Sequence, residues 1–466
     1  MSVVVLARKV SAATLLTQKI DSFAFPATNK GVMDRRPKNA LMIGLFTLAV
    51  LVHAAILFVV IPEINYRLHV SYNSDRYADG YDQLAQNLVN GNGYRMYPDT
   101  AETLMREPGY PILLAGMYSI FGNSFAVVKL ANMLMAFAVA WQMMWLSRGL
   151  WNNQVMILGP PLLFLFHPGT LIAESRGGIE LLYTLFLAFF MSTLYVAVKN
   201  NSVWYYVVSG GVLGLTVLVR SVPILFPIAV LFYLLVFERE RASKVFIPCR
   251  NVAAMIVAMF VVLCPWIIRN YRLTGKFVPT ASVLGVSAQA GEYLFTHHSG
   301  KDRWAVDGEA AAERNALARE LGYPFKEGYY QCFYSSTDEL KFSNYLVGKV
   351  AGDYRRSPEL FARVMFTNLF YFWIGGKAGN SVLMNSAVQL PLLILAATGI
   401  LLSVKSGQLK IIAPMVLLIA YSMAVSLPIL AQARYSVPLI PYLSILAFIP
   451  LTQYVGRRLT NTEDRT

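Results

Sequence analysis

Charge is scarce in this 466-residue chain. Only 14% of its residues are Asp, Glu, Lys or Arg, whereas 56% are hydrophobic. A soluble globular domain carries about a quarter charged residues, so the composition excludes an ordinary water-soluble fold. Cysteine is rarer still. Cys249, Cys264 and Cys332 lack metal-like spacing, and only Cys332 is expected on the outer side, which argues against an internal disulfide. No repeat of the kind found in many secondary transporters is visible. The apolar runs are continuous and do not alternate with polar residues, which excludes a closed membrane barrel.

Those runs are what the chain has in abundance. Asn39–Pro62 carries no charged residue and is long enough, as a helix, to cross the roughly 30 Å hydrocarbon core. It is too long for a signal-peptide core and has no small-residue cleavage site after it, so it reads as a retained first span. Similar runs cover Ser124–Trp145, Gln154–Ile172, Gly178–Val198, Ser202–Val219, Pro223–Phe237, Val252–Ile268, Ser386–Val404, Ile411–Leu430 and Tyr435–Tyr454. The expectation is an all-α polytopic membrane protein with about ten spans.

Basic residues set the orientation. Arg8, Lys9, Lys19, Lys30, Arg35, Arg36 and Lys38 precede the first span. Arg148, Lys199, the cluster Arg239–Arg241–Lys244–Arg250, Lys405, Lys410 and Arg457–Arg458 fall on the same side. That side is expected to be cytoplasmic, with both termini there. The formal charge of +14 is then a topology signal plus attraction to anionic headgroups, and a nucleic-acid partner is not expected. The chain divides into a cytoplasmic segment 1–38, a transmembrane module 39–268 with a first outer loop 63–123, a second outer loop 269–385, and C-terminal spans with a short tail over 386–466. The second loop holds a soluble-looking helical stretch and an interfacial helix over Glu359–Gly376.

The first outer loop is dense with reactive groups. In SDRYADGYDQLA, Asp75, Asp79 and Asp82 are spaced by four and three, which on a continuous helix puts them on one face. A turn Gly91–Tyr94 follows, then Arg106 and Glu107 before Pro108 and an apolar helix of about fourteen residues. Further charges sit at the outer ends of spans: His167, Glu174, Arg176, Glu180, Arg220, Arg269 and Arg434. Each arginine alone reads as a snorkelling membrane anchor. Together, guanidinium groups facing carboxylates at a membrane surface suit a site for an anionic lipid.

At these residues the chain resembles the C-type membrane glycosyltransferases, in particular the bacterial protein O-mannosyltransferases and lipid A aminoarabinose transferases. The resemblance rests on Asp before Tyr-x-x-Leu-Ala (DGYDQLA), the Gly-x-Gly-Tyr turn, Arg-x-Pro-Gly-Tyr-Pro (REPGYP), PWIIRNYRLTGKFVPTASVLG and ARYSVPLIPYLSILA, which in this order span most of the chain. It implies a multi-pass protein of a bacterial inner membrane that moves a sugar from a polyprenyl-phosphate donor to an envelope acceptor on the outer face. It also implies an acid in the first outer loop. Family members commonly carry that acid four residues before the Tyr, where this chain has Tyr77.

Asp79 is the favoured base and Asp75 the reserve, because Asp79 adjoins a helix start whose N–H groups can hold it. The plain alternative for Asp79 is a helix cap. Arg269, Arg434 and Arg106 are the candidate phosphate ligands. Tyr81, Glu107, Glu174, Glu180 and Arg220 are candidate substrate contacts. No cofactor is required, since arginines can meet the phosphate charge, although the acidic cluster leaves room for a divalent cation. The main rival is a flippase for a lipid-linked saccharide. It should carry ionisable residues near mid-bilayer, where this chain has little besides His53. A non-catalytic assembly partner has no specific support.

The topology is open to direct measurement. In intact cells, cysteine probes at Gly91 and Gly300 should react with an impermeant reagent, and one at Ala242 should not. Labelling at Ala242 would reverse the orientation.

Overall fold

The structure is a computed structural model that describes residues 36–67, 79–151, 153–238, 245–297, 303–328, 331–376 and 379–463. The N-terminal basic segment through Arg35, Asp75, and the cluster from Arg239 to Lys244 lie outside the described residues. The chain divides into two units after His53. Helix α1 covers Arg36–Ala55, and a π-turn (Ile56–Val60) leads into α2 (Ile61–Arg67).

The apolar runs of the sequence all form helices. Residues 79–122 hold α3 (Tyr81–Val89) and α4 (Gly109–Phe121). The first group of long helices is α5 (Phe125–Leu150), α6 (Gln154–Phe166), α7 (Pro168–Ser175), α8 (Glu180–Asn200), α9 (Val203–Val219), α10 (Phe226–Phe237) and α11 (Phe246–Thr274). Among the described residues, seven helices are long and apolar enough to cross a membrane, or eight if α6 and α7 count as one span bent by 52°. Two of the ten expected spans fall short because polar or Pro-bearing breaks interrupt them. Helix α9 stops after 17 residues, about 26 Å of rise, where Arg220 turns to extended backbone. Pro223 then enters a 3-10 turn ahead of α10. The α6–α7 bend falls at His167, whose Nδ1 accepts from Gly169 N at 3.0 Å and caps α7 in front of Pro168 at its first turn.

Between the two groups of apolar helices the chain folds as α12 (Leu284–His297), α13 (Arg303–Glu320), a short antiparallel pair β1 (Phe325–Lys326) and β2 (Cys332–Phe333), α14 (Ser336–Arg356) and α15 (Pro358–Ile374). In the pair, Phe325 lies opposite Phe333 and Lys326 opposite Cys332. Ala318, Phe333, Phe342 and Leu346 form a small core there. A second core joins this module to the first outer loop, with Cys332 packed among Leu84, Tyr94 and Met96. The remaining helices are α16 (Gly379–Lys405), α17 (Leu409–Ser426) and, after a 3-10 turn Ala433–Leu439, α18 (Ile440–Glu463).

Polar stitching completes the union of this module with residues 79–122. Glu339, in the first turn of α14, is buried and accepts from Thr103 Oγ1 at 2.8 Å, Leu104 N at 2.9 Å and Ser282 Oγ at 2.6 Å. Burial pushes its carboxyl above the ordinary range, and these donors pull it back. Ser282 N donates to Leu104 O at 2.7 Å and Ala101 N to Phe333 O at 3.1 Å. The strand-like arm 101–104 is thereby fixed just ahead of Arg106.

Removing one partner from such a cluster leaves buried donors unmet. Glu339→Ala should destabilise the protein by about 2–3 kcal/mol, the cost of orphaned buried donors, lowering the thermal unfolding midpoint in detergent. Glu339→Gln, which keeps one acceptor oxygen, should lose less. Equal midpoints for Glu339→Ala and the parent would remove Glu339 from this role.

Candidate functional site

Asp79 and Asp82 do not share a helical face. Gly80 has φ 74° and begins α3 from the left-handed region, a conformation that glycine adopts without steric cost. The helix therefore starts after Asp79, which is left at its mouth. Asp82, inside the helix, turns toward α4, where Tyr118 Oη donates to it at 2.5 Å, and Gln86 Nε2 of its own helix donates to it at 2.5 Å. Asp75 lies outside the described residues.

Asp79 faces two arginines. Arg434 Nη1 donates to its Oδ2 at 2.5 Å and Nη2 to its Oδ1 at 3.3 Å, the two-pronged geometry that suits guanidinium and carboxylate. Arg434 comes from the 3-10 turn before α18, and Gln432 Oε1 orients it by accepting from Nε at 2.8 Å. Arg106 approaches from the end of the arm 101–104, with Nη2 3.8 Å from Asp79 Oδ1 and Nε donating to Asp79 O at 3.2 Å. Its guanidinium lies 5.3 Å from the Tyr81 ring centroid, and the Tyr110 ring meets Tyr81 edge-on. Glu180, at the start of α8, sits 3.8 Å from Arg434 Nη1.

A second layer backs this cluster. Arg220 stacks over Tyr435 at 4.0 Å, the residue after Arg434. Glu107 is buried, and its Oε1 accepts from Ser221 N at 3.0 Å. Gly109 makes that approach feasible, because a Cβ there would meet Leu218 O at 2.9 Å. Asp79, Glu107 and Glu180 therefore lie with Arg106, Arg220 and Arg434 in one charge-balanced group at the ends of apolar helices. In such a partly dehydrated setting, charge-assisted hydrogen bonds are stronger than in water.

Arg269 takes a neighbouring place. Its Nη2 donates to Glu102 Oε2 at 3.0 Å and its Nη1 to Thr103 O at 3.1 Å, while the guanidinium stacks 4.4 Å from Trp266 and 5.2 Å from Tyr94. Tyr94 links the two groups, since its hydroxyl lies 3.1 Å from Arg106 O and 3.0 Å from Glu107 O. Burial raises the phenols of Tyr94 and Tyr81 well above their ordinary range, so both stay proton donors. Glu174 is buried at the end of α7, where Asn132 Nδ2 reaches its carbonyl at 3.3 Å and that of Arg176 at 2.9 Å. These bonds tie the end of α7 to α5. Glu102 and Gln432 position arginines, yet no motif or periodicity marks them, because their partners come from folding alone.

Comparison with known proteins fits the class that these residues suggest. A family model described as dolichyl-phosphate-mannose-protein mannosyltransferase matches residues 105–267. That stretch holds Arg106, Glu107, Glu174, Glu180 and Arg220, and it stops just short of Arg269. Over that stretch the chain is similar to a family of C-type membrane glycosyltransferases. Among solved structures, the crystal structure of ArnT from Cupriavidus metallidurans bound to undecaprenyl phosphate is similar at 12% identity and a TM-score of 0.41, over 88% of this chain and 78% of that one. A superposition this loose leaves the functional reading to the residues themselves. No curated protein matches the chain.

The geometry separates Arg434 from Arg269 experimentally. In unfolding measurements, Asp79→Asn and Arg434→Gln should couple by about 1–3 kcal/mol, as contacting residues do. Asp79→Asn and Arg269→Gln should be nearly additive. Additivity in the first pair would break the proposed link between the first outer loop and the last span.

Proposed function

We propose that this protein transfers a sugar from a polyprenyl-phosphate donor to an acceptor hydroxyl or amine of a lipid, polysaccharide or protein on the outer face of a bacterial inner membrane. The two-pronged contact of Arg434 with Asp79, with Arg106 alongside, carries this reading. A guanidinium fork that fits a carboxylate also fits a phosphate. The donor's phosphate competes for Arg434 and draws it from Asp79, which opens a carboxylate oxygen to the acceptor. Donor binding thus prepares the base.

The acceptor oxygen or nitrogen then attacks the anomeric carbon, and its proton passes to Asp79. The bond from that carbon to the phosphate oxygen breaks, and its electron pair leaves on the lipid phosphate. Arg434 and Arg106 meet the charge that grows there, a contribution of roughly 10²–10³-fold for a well-placed donor in comparable sites. A single displacement of this kind inverts the anomeric centre. Arg269 would reach the phosphate only by exchanging Glu102, so it ranks behind Arg434 and Arg106.

The test uses purified protein, a polyprenyl-phosphate sugar and candidate acceptors in detergent. Asp79→Asn should reduce transfer by about 10²-fold or more, the scale of a lost general base, while donor binding persists. Arg434→Gln should weaken donor binding, with Arg434→Lys restoring it only in part because lysine lacks the planar fork. Near-normal transfer by Asp79→Asn would remove it as the base.

A further inference from the structure

Arg434 has a second carboxylate at hand, and the chemistry proposed above gives it no task. Glu180 Oε1 stands 3.8 Å from Arg434 Nη1, the same nitrogen that donates to Asp79 Oδ2 at 2.5 Å. The Glu180 side chain is 8% exposed, against 20% for Asp79, so an acceptor reaches Asp79 and Glu180 is not a competing base. We infer that Glu180 competes with the lipid phosphate for Arg434 and thereby sets how much more tightly the site holds the spent carrier than the donor. This rests on the donor reading given above.

Two features keep that carboxylate beside Arg434. Glu180 opens the first turn of α8, where the free N–H groups of the helix favour negative charge. Its side chain also folds back over Gly178, where a Cβ would stand 2.1 Å from Glu180 Oε2. A buried acid seated in this way stays in place when Arg434 turns from Asp79 to a phosphate.

The charge count gives the consequence. In the resting cluster Asp79, Glu107 and Glu180 balance Arg106, Arg220 and Arg434. A prenyl phosphate that carries a sugar is a diester with a single negative charge. Transfer turns it into a monoester, whose second ionisation falls at about pH 6, so its charge approaches two. At that moment Asp79 holds the acceptor's proton and is neutral. Glu180 is then the carboxylate that still opposes the grip of Arg434 on the phosphate. Coulomb energy scales with the product of the charges, so Glu180 repels the product about twice as strongly as the donor. A clamp that steadies the leaving phosphate also traps it. Glu180 loosens the clamp in proportion to the charge that transfer creates.

The test measures binding of two probes to the full-length protein in detergent at about pH 8, where a phosphate monoester is doubly charged. Farnesyl phosphate stands for the spent carrier and its methyl ester, a singly charged diester, for the donor. The two share one chain, so apolar contacts cancel in the comparison. Glu180→Gln should tighten the methyl ester about tenfold and farnesyl phosphate about a hundredfold, the square that follows from doubling the charge. Glu180→Asp keeps the charge and should leave the ratio of the two affinities close to that of the parent. In transfer assays Glu180→Gln should lower both KM for the donor and kcat, with a burst of product in the first turnover ahead of a slow steady state. Equal changes for the two probes would overturn the inference. So would weaker binding of both probes by Glu180→Gln and Glu180→Asp alike, which marks a carboxylate that only supports the fold. The expected shift in ratio, in a protein that transfers no sugar, would uphold the role of Glu180 and sink the glycosyltransferase reading. Sugar transfer by the parent without any shift in ratio would do the reverse.

Discussion

The ion pair between Asp79 and Arg434 joins residues 355 positions apart and sets the relation of residues 79–122 to the 3-10 turn ahead of α18. Each partner alone is a charge at the edge of apolar helices, where hydration is incomplete and an unmatched charge is costly. Paired, they define one place where carboxylate and guanidinium meet. Arg106, Glu180 and Gln432 take their positions around that pair, and Arg220 follows through Tyr435. The chemistry proposed for the site depends on the pair being exchangeable. Strong contacts of opposite charge give it order in the resting protein, and an incoming anion can take over one side of them.

Residues 79–122 and the α12–α15 module supply a frame for this exchange. The arm 101–104 is fixed to the α14 module by Glu339 and Ser282, and Arg269 grips the same arm through Glu102 and Thr103. Arg106 follows directly from it. The arginine that approaches Asp79 is consequently carried on a segment whose freedom is limited from both sides. Preorganisation of this kind lowers the cost of aligning charges when a substrate binds.

Much of this was legible in the sequence, because apolar periodicity and charge placement respond to the membrane in a direct way. The uninterrupted runs became helices, the Pro-Gly-Tyr-Pro segment opened the short helix α4, and Arg220 and Arg434 met at one site. Other features were hidden. The spacing of Asp75, Asp79 and Asp82 suggested a shared helical face, but the positive φ of Gly80 starts the helix after Asp79. Nothing local distinguishes Arg269 from Arg434, since what separates them is a choice of partner, Glu102 against Asp79. Glu339 lies 235 residues from Leu104, and a lone glutamate in an amphipathic helix reads as a solvated face. Tertiary hydrogen bonds of this range leave no periodic trace. Helix ends were hidden for the same kind of reason: a continuous apolar run does not show that the backbone breaks at Arg220 and bends at His167.

Cys332 gives the outer frame an unusual chemical property. It is buried where the first outer loop meets β2, and burial pushes its thiol up to about 12, so in the closed protein it is nearly inert toward electrophiles. Alkylation then requires the loop to lift from the hairpin. When closing is fast relative to alkylation, the reaction rate measures the population of the lifted state. The native chain thus carries its own chemical clock for separation of the outer segments, set at the joint on which Arg106 and Arg269 both depend.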